Sequence, residues 1–266
     1  MIFTRIALPD NKIAFVPNDI TVVIPDDPEL DSEQRSRLAY IPWSDHYLEK
    51  IPTQYHDFFM YVLPHLHVRT TDVHTALSVS QLPAVLSHIQ EQTNESLIYL
   101  AIILHDVGWS EVSPEGVANS LAYSGLTLSA ASRAPKQQHV IFGEALAYKL
   151  LMAYPAEKLD LTSDDIFTIT EMIRRHDHDA TWEKDKFGPI SLENNLLCDC
   201  DRLWSYTHEN FWLDTIRKQV KPEEYIDTID TAIESYFFTQ AGKIRARELI
   251  AERRKEVADY LAQLDS

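Results

Sequence analysis

One stretch of the sequence combines a long apolar run with two polar side chains at its end. Residues 97–104, LIYLAIIL, are all apolar or aromatic. A helix that is apolar on every side is a buried one. His105 and Asp106 follow this run directly. Burying them without partners would cost roughly 2–7 kcal/mol for a neutral polar group and more for a charge. We therefore expect a compensating partner, and a metal ion is a natural one.

The overall composition predicts a packed core and a small-molecule substrate. The 266 residues are 45% hydrophobic and 24% charged, which is close to the globular average. The formal net charge of -17 argues against binding to a nucleic-acid polymer or an anionic membrane surface, because phosphate contacts need clustered Lys and Arg. It leaves room for a small anionic substrate held by a metal.

Several further features bear on the cellular setting. No apolar run approaches the roughly 20 residues of a membrane span, and the first 12 residues turn polar too early for a signal peptide. Cys198 and Cys200 are the two cysteines, which is no disulfide framework, so we expect a reduced, cytoplasmic setting. The sequence leaves homo-oligomerisation open.

The chain divides into two regions with different patterns. Residues 1–42 contain short β-prone runs broken by Asp, Asn and Pro, which predict one hairpin or an extended arm. From residue 43 onward the patterns are helical. The longest non-periodic stretch, residues 110–135, is rich in Ser, Gly, Ala and Pro and is typical of a lid or binding loop. We predict an all-α helical bundle over residues 43–266, preceded by a short β-prone extension over residues 1–42.

Several His and Asp residues fall near apolar faces of different predicted helices. Imidazole and carboxylate suit Zn, Fe, Mn and Ni, and carboxylate oxygens also suit Mg. Helical bundles build metal sites from side chains on facing helices. Taken singly, each residue is more often an ordinary hydrogen-bonded core group. The candidate ligands are His74, His105, Asp106, His139, His176 and one of Asp199 and Asp201.

The sequence pattern alone leaves the choice between Asp199 and Asp201 open. Both flank the apolar helix face of Leu196, Cys200 and Leu203. Two residues apart on a helix, they do not point at the same ion.

The order of these residues resembles the HD-domain superfamily of metal-dependent phosphohydrolases, in particular its small single-domain branch. The family pattern His … His-Asp … Asp is matched by His74, His105–Asp106 and an Asp in LLCDCDRLW. Members often read ADRL at the last motif, so CDRL here implies Asp201 as the ligand. The stretches HVIFGEALAYKLL, MIRRHDHD and TQAGKIRARELIAERRKEVADYLAQL extend the likeness over residues 65–265.

The resemblance implies an HD-type helical bundle with one or two divalent ions, which could be Mn, Fe, Ni, Zn or Mg. In binuclear members this order of ligands holds two metals, with the HD aspartate bridging. The alternative here is one ion, with His139 and His176 contacting the substrate. Many members carry Lys after HD-x-G, where this chain has Trp109. The candidates to replace that cation at a phosphate are Arg69, Lys136, Arg174 and Arg175.

The function implied by the resemblance is hydrolysis of a nucleotide or another small phosphate ester. The metal would lower the pKa of a bound water from about 15.7 toward about 7 and polarise the phosphoryl oxygen. Asp106 would act at the metal, and an unliganded carboxylate, Asp199 or less favourably Glu144, would accept a proton.

Two other interpretations stay open at this point. Some relatives with six ligands are di-iron oxygenases and others hydrate small nitriles on zinc. Trp109 and the aromatic run at residues 55–61 would suit such a less polar substrate. In the third interpretation the metal is structural and the protein is a binding module, because four protein ligands can close a site.

Overall fold

The computed structural model describes the whole chain except residues 10–11, 122, 125–126, 129, 156–157, 178–189 and 265–266. Most of the described residues are helical. The helices are α1 (Ser32–Arg37), α2 (His56–His67), α3 (Asp72–Leu86), α4 (Glu95–Leu104), α5 (Pro114–Ser120), α6 (Ala130–Ala153), α7 (Ser163–Arg175), α8 (Leu192–Leu203), α9 (His208–Lys218), α10 (Pro222–Tyr236) and α11 (Gln240–Leu264). Short 3-10 turns lie at Asp45–Lys50, Thr53–Tyr55, Val107–Glu111 and Trp204–Tyr206.

The strands are short, and Phe3 and Val16 of the first pair are buried in the main hydrophobic core. An antiparallel hairpin joins β1 (Phe3–Ala7) to β2 (Ile13–Pro17), with Phe3 opposite Pro17. A second, two-residue pair joins β3 (Tyr123–Ser124) to β4 (Thr127–Leu128). The fold is therefore mainly α-helical with a β-prone N-terminal segment, as predicted. None of the described helices combines the length and the apolar character that crossing a membrane would require.

The apolar run at residues 97–104 forms the buried helix that the sequence predicts. The side chain of Asn94 caps α4 by accepting a hydrogen bond from the backbone N–H of Leu97. Every residue from Leu97 to Leu104 is buried, and α4 packs against α3, α7 and α8. Burying one Leu or Ile side chain contributes about 1.5–3 kcal/mol, so this helix is a major part of the core. It ends where His105 and Asp106 begin.

Two glycines let the turn after α4 touch the backbone of α6. A Cβ atom on Gly108 would lie 2.0 Å from the carbonyl oxygen of His139 and 2.4 Å from the backbone nitrogen of Gly143. No side chain fits at that distance, so position 108 requires glycine for close backbone approach. This contact fixes α6, which carries His139, against the end of α4.

The stretch at 110–135 is more ordered than predicted. It contains α5, which begins with Pro114 in its first turn and is capped by the Ser113 hydroxyl accepting from the Gly116 N–H. It also contains the beginning of α6 at Ala130. Proline and a serine cap are helix-start signals. The sequence pattern predicts a loop here because the many small residues give no helical periodicity. Residues 122, 125–126 and 129 of the predicted loop lie outside the described residues.

The N-terminal segment packs onto the bundle. Phe3 is buried against the rings of Trp212 and Tyr260, with centroids 4.9 and 5.3 Å away. Its backbone N–H donates to Oε1 of Gln263 in α11 over 3.1 Å. Helix α1 packs against α5 and α9. The first 42 residues therefore contact α11 as well as α5 and α9.

Candidate metal centre

The structure brings the predicted ligands together in one cluster at the centre of the bundle. They come from three helices and from the residues that follow two more. The cluster comprises His74 of α3, His105 and Asp106 after α4, His139 of α6, His176 after α7 and Asp201 of α8.

One half of the cluster is formed by His74, His105 and Asp201. The Nε2 atom of His74 lies 2.8 Å from Oδ1 of Asp201 and 3.0 Å from Nε2 of His105. Nε2 of His105 lies 3.3 Å from the same Asp201 oxygen. Three ligand atoms from three helices thus point at one position. Of the two alternatives at the end of α8, it is Asp201 that lies here.

The other half contains His139 and His176, and Asp106 lies between the two halves. The two imidazoles face each other with their Nε2 atoms 3.1 Å apart. Oδ1 of Asp106 is 3.9 Å from each of these atoms and 3.6 Å from Nε2 of His105. Its Oδ2 atom is 3.6 Å from Nε2 of His74. A single carboxylate therefore reaches both halves.

Helix ends orient two of the histidines. His105 and His176 each cap the C-terminus of a helix, where backbone carbonyls lack helical partners. Nδ1 of His105 lies 2.6 Å from the carbonyl of Ile102, and Nδ1 of His176 lies 2.7 Å from that of Ile173. Because Nδ1 of each ring is directed at a carbonyl, Nε2 faces the cluster. A neutral ring that carries its proton on Nδ1 would offer Nε2 as a metal ligand. Hydrogen bonds of this kind fix metal-binding imidazoles.

The cluster is largely buried, and among the described residues its carboxylates have no ion-pair partner from lysine or arginine. His105 is fully buried and Asp106 is 6% exposed. Among the described residues, the ion-pair partners of Asp106 and Asp201 are histidines of the cluster. Buried charges require compensation. These His and Asp groups could hold a metal ion, since two triplets of ligand atoms each lie within 4.8 Å of one another.

Burial and neighbouring charges set the protonation of the cluster. Burial lowers the pKa of His105, but Asp106 and Asp201 outweigh it and raise that pKa to about 9. Burial and the neighbouring His176 lower the pKa of His139 well below its usual value, and burial and His105 lower that of His176. Burial raises the pKa of Asp201, but hydrogen bonds from His105 and His74 bring it well below its usual range. His139 and His176 are thus neutral at pH 7, the form in which imidazole binds metals.

Asp199, our predicted catalytic carboxylate, lies away from the cluster. Its Oδ1 accepts from the backbone N–H of Phe238 at 2.8 Å, and its Oδ2 accepts from the N–H and hydroxyl of Thr239 at 2.9 and 2.6 Å. The carboxylate thus holds the residues that precede α11, and the missing Cβ of Gly242 leaves room for it. All three contacts would be lost if Asp199 served as a proton acceptor in the cluster. Glu144 is also elsewhere, 3.9 Å from Nε of Arg174.

The predicted substrate-binding cations fall into two groups. Arg69 and Lys136 line a cavity of about 900 Å³ into which the cluster opens. Nε of Arg69 donates to the carbonyl of Val112 at 2.8 Å, and Nζ of Lys136 lies 2.9 Å from the Asp177 carboxylate. Arg175 does not line this cavity among the described residues. It is buried and pairs with Glu171 of the preceding turn, so its placement does not support a role in substrate binding.

The cavity wall contains residues that the sequence analysis did not single out. Seven basic side chains of the described residues line it, although the chain carries a large net negative charge. Those not predicted are Arg37, Arg133, Arg202, Arg217 and Lys218. Aromatic rings that line the cavity include Trp204, Tyr225, Tyr236 and Phe238. Arg202 follows Asp201 directly in the DRLW motif, so its position beside a predicted ligand could have identified it as a candidate. The local sequence around the other four gives no such indication.

Trp109, in the turn after Asp106, contacts the cluster in two ways. Its indole Nε1–H donates to Oδ1 of Asp106 at 3.0 Å. Its ring stacks on His139 with centroids 4.1 Å apart and planes only 5° from parallel. The tryptophan therefore orients one carboxylate and one imidazole of the cluster together.

Comparison of the chain with protein-family models, with curated proteins and with solved structures finds no match in any of the three.

Proposed function

We propose that this protein is a metal-dependent hydrolase of a small phosphate ester, such as a nucleotide. The observation that carries the proposal is the exposure of the cluster to the cavity on one side. Five of its six members, all except His105, line the cavity wall. A structural metal is closed off by protein ligands, whereas a catalytic metal keeps a position open to substrate. The open side therefore favours catalysis over a purely structural role.

The donor set fits a divalent transition metal and favours two ions over one. Imidazole nitrogens and carboxylate oxygens, without thiolates, suit Zn, Mn, Fe or Ni. The ligand atoms form two overlapping triplets, one with Asp201 and one with Asp106. Asp106 reaches both halves and is the natural shared ligand. We keep the resemblance to the HD-domain superfamily as part of this proposal, on the motifs that carry it.

The chain's own residues would bind and orient the substrate. A bound ion supplies a water of lowered pKa and an electrophilic partner for a phosphoryl oxygen. Two backbone carbonyls, those of Val112 and Val68, hold the Arg69 guanidinium at the cavity wall. No carboxylate of the described residues lies within ion-pair distance of it, so its charge is available to an anionic substrate. Preorganised cations of this kind stabilise the charge that develops in a transition state.

Asp177 replaces Asp199 as the proposed proton acceptor. It follows His176 directly and lines the cavity. Lys136 lies 2.9 Å from its carboxylate and fixes its position. A positioned carboxylate near the reacting water can accept a proton. Asp177 lines the cavity that the cluster also lines, whereas Asp199 and Glu144 are not among the described lining residues.

A His74→Gln substitution tests the proposal together with a matched control. We expect the purified protein to contain one or two transition-metal ions per chain and to release phosphate from members of a nucleotide and phosphomonoester panel. His74→Gln removes one ligand, so we expect at least a 100-fold loss of phosphate release and a lower metal content by elemental analysis. His88→Gln, on the surface 3.8 Å from Glu248, should behave as the unsubstituted protein.

Other results would contradict the proposal. Absence of bound metal under every loading condition would remove its basis. Two iron ions per chain with oxygen consumption, and no phosphate release, would favour the oxygenase alternative on the same ligands.

Replacing Trp109 with phenylalanine should weaken metal binding without unfolding the protein. Phenylalanine retains a ring against His139 but lacks the N–H that donates to Asp106. Loss of such an orienting hydrogen bond typically costs 10–100-fold in metal affinity. Titration of the metal-free protein in competition with a chelator would measure the change. Equal affinities for the two proteins would show that the hydrogen bond does not orient Asp106 for the metal.

A further inference from the structure

The cavity continues beyond the metal cluster, across the ring of Trp204, to the end of α9. Trp204 lies against His74, with ring centroids 4.6 Å apart. The guanidinium carbon of Arg217 lies 5.9 Å from the centroid of the same ring. His74, Trp204 and Arg217 all line the same cavity. One aromatic ring is therefore near both a histidine of the cluster and a positive charge.

Arg217 is half-buried and has few partners. Its Nε donates to the carbonyl of Ala39 at 2.7 Å. Among the described residues its Nη atoms form no hydrogen bond, and no carboxylate lies within 4.0 Å of them. They are nevertheless absent from the buried unpaired atoms of the described residues, so they face the open cavity. Burial lowers the pKa of Arg217, and the negative charge of Asp214 offsets part of that effect.

The neighbouring charged groups are engaged with one another. Asp214, one turn earlier on α9, accepts from the Tyr225 hydroxyl at 2.6 Å and from Nζ of Lys218 at 2.8 Å. Arg37 of α1 pairs with Glu33. Arg202 lies 4.4 Å from the Phe238 centroid and 4.8 Å from that of Tyr236. Asp214 also interacts electrostatically with Arg217, but no carboxylate of the described residues forms an ion pair with this guanidinium, which faces the cavity.

We propose that Arg217 forms a second anion-binding site, so that the substrate carries two anionic groups, one at the metal cluster and one at Arg217. A guanidinium binds a carboxylate or a phosphate through two parallel N–H···O bonds, and either group would satisfy the two free Nη atoms. The substrate must be long enough to pass the face of Trp204. A short monophosphate would leave Arg217 without a partner. The contact at the metal cluster rests on the proposed function.

The N-terminal segment takes part in this second site. Ala39 follows α1 by two residues, and its carbonyl fixes the orientation of the guanidinium through Nε. Nε of Arg217 already donates to this carbonyl, so the two Nη groups of Arg217 remain for a ligand. Residues 1–42 thus contribute to ligand recognition in addition to covering the bundle.

A series of alkane-α,ω-bisphosphonates of increasing length tests the inference by titration calorimetry on the metal-loaded protein. Each is compared with the monophosphonate of the same chain length. We expect the bisphosphonate to bind roughly 10- to 100-fold tighter at the length that spans both sites, as for a charge-assisted contact. A parallel series of ω-phosphonocarboxylates shows whether the second group is a carboxylate or a phosphate. This comparison uses the unsubstituted protein and needs no variant.

The Arg217→Gln variant then assigns the gain to this residue. It should bind monophosphonates as the unsubstituted protein does and lose the preference for the second anionic group. Arg254→Gln is the matched control, because Arg254 is exposed and pairs with Asp227 and Asp230 away from the cavity. Should Arg217→Gln fail to fold, Arg217→Lys keeps the charge without the planar fork and should retain only part of the gain.

The possible failures are distinguishable. If monophosphonates bind but the second anionic group adds nothing at any length, the second site is wrong and the proposed function stands. A gain that persists in Arg217→Gln also overturns the second site, because it places the second group elsewhere. If no phosphonate binds to the metal-loaded protein, the proposed function fails and the second site fails with it.

Discussion

Replacing Asp106 with asparagine should lower phosphate release at least about a thousandfold while the fold is retained. Asp106 is the carboxylate that reaches both halves of the cluster. Its charge contributes several kcal/mol when it binds a metal, and each 1.36 kcal/mol is about a tenfold change in rate. Asparagine keeps the size of the side chain and an oxygen that can accept from Trp109, so packing around the site should persist.

Metal-dependent thermal stability separates a catalytic metal from a structural one. Adding metal should raise the melting temperature of the unsubstituted protein, because a ligand that binds only the folded state stabilises it. The same addition should leave the melting temperature of Asp106→Asn nearly unchanged. Asp259→Asn, an exposed carboxylate paired with the N-terminal amine, is the matched control. If Asp106→Asn loses its circular dichroism signal together with the metal, the ion is structural and the catalytic proposal is wrong.

Replacing Gly108 with alanine should destabilise the protein by about 3 kcal/mol or more, the upper end for overpacking. The new Cβ would lie 2.0 Å from the His139 carbonyl oxygen and within 3 Å of two backbone atoms of Gly143. Backbone atoms of a long helix cannot move aside as the end of a side chain can, so α6 must shift as a whole. For a chain of this size we expect the melting temperature to fall by at least about 6 °C.

Gly116→Ala provides the comparison for this change. The Cβ at position 116 would meet Cγ1 of Val112 at 2.8 Å and the Ser113 hydroxyl at 3.2 Å. These are side-chain atoms that can rotate away, and alanine gains up to about 1 kcal/mol over glycine inside a helix. We expect a change of less than about 1 kcal/mol in the free energy of unfolding, measured by urea denaturation. Equal losses for the two variants would show that the backbone contact at Gly108 is not the constraint.

The features that the sequence made predictable are those with a local cause. The helix at residues 97–104 could be predicted because eight apolar residues in succession leave it no exposed face. His105 and Asp106 stood out because polar side chains at the end of a buried helix need a compensating partner. The all-α class followed from the helical periodicity that begins at residue 43.

Features that depend on distant contacts were beyond the sequence pattern. Asp199 and Asp201 flank the same apolar face of α8, and what separates them is the position of Thr239, 40 residues away. Arg217 looked like an ordinary charge at the end of a helix until the fold placed it beside Trp204. Helix α5 was missed because its core contacts depend on where α6 lies, and its small residues carry little periodicity.

The order of the candidate ligands along the chain has a consequence for how the protein would acquire a metal ion in a cell. His74 and Asp201 touch in the folded protein but are separated by 127 residues. At a synthesis rate of about 5–20 residues per second, Asp201 emerges from the ribosome roughly 6–25 s after His74. During that interval the earlier ligands exist without the carboxylate that completes their half of the cluster. Any selection among metals that depends on the complete site would therefore take place only after Asp201 has been synthesised.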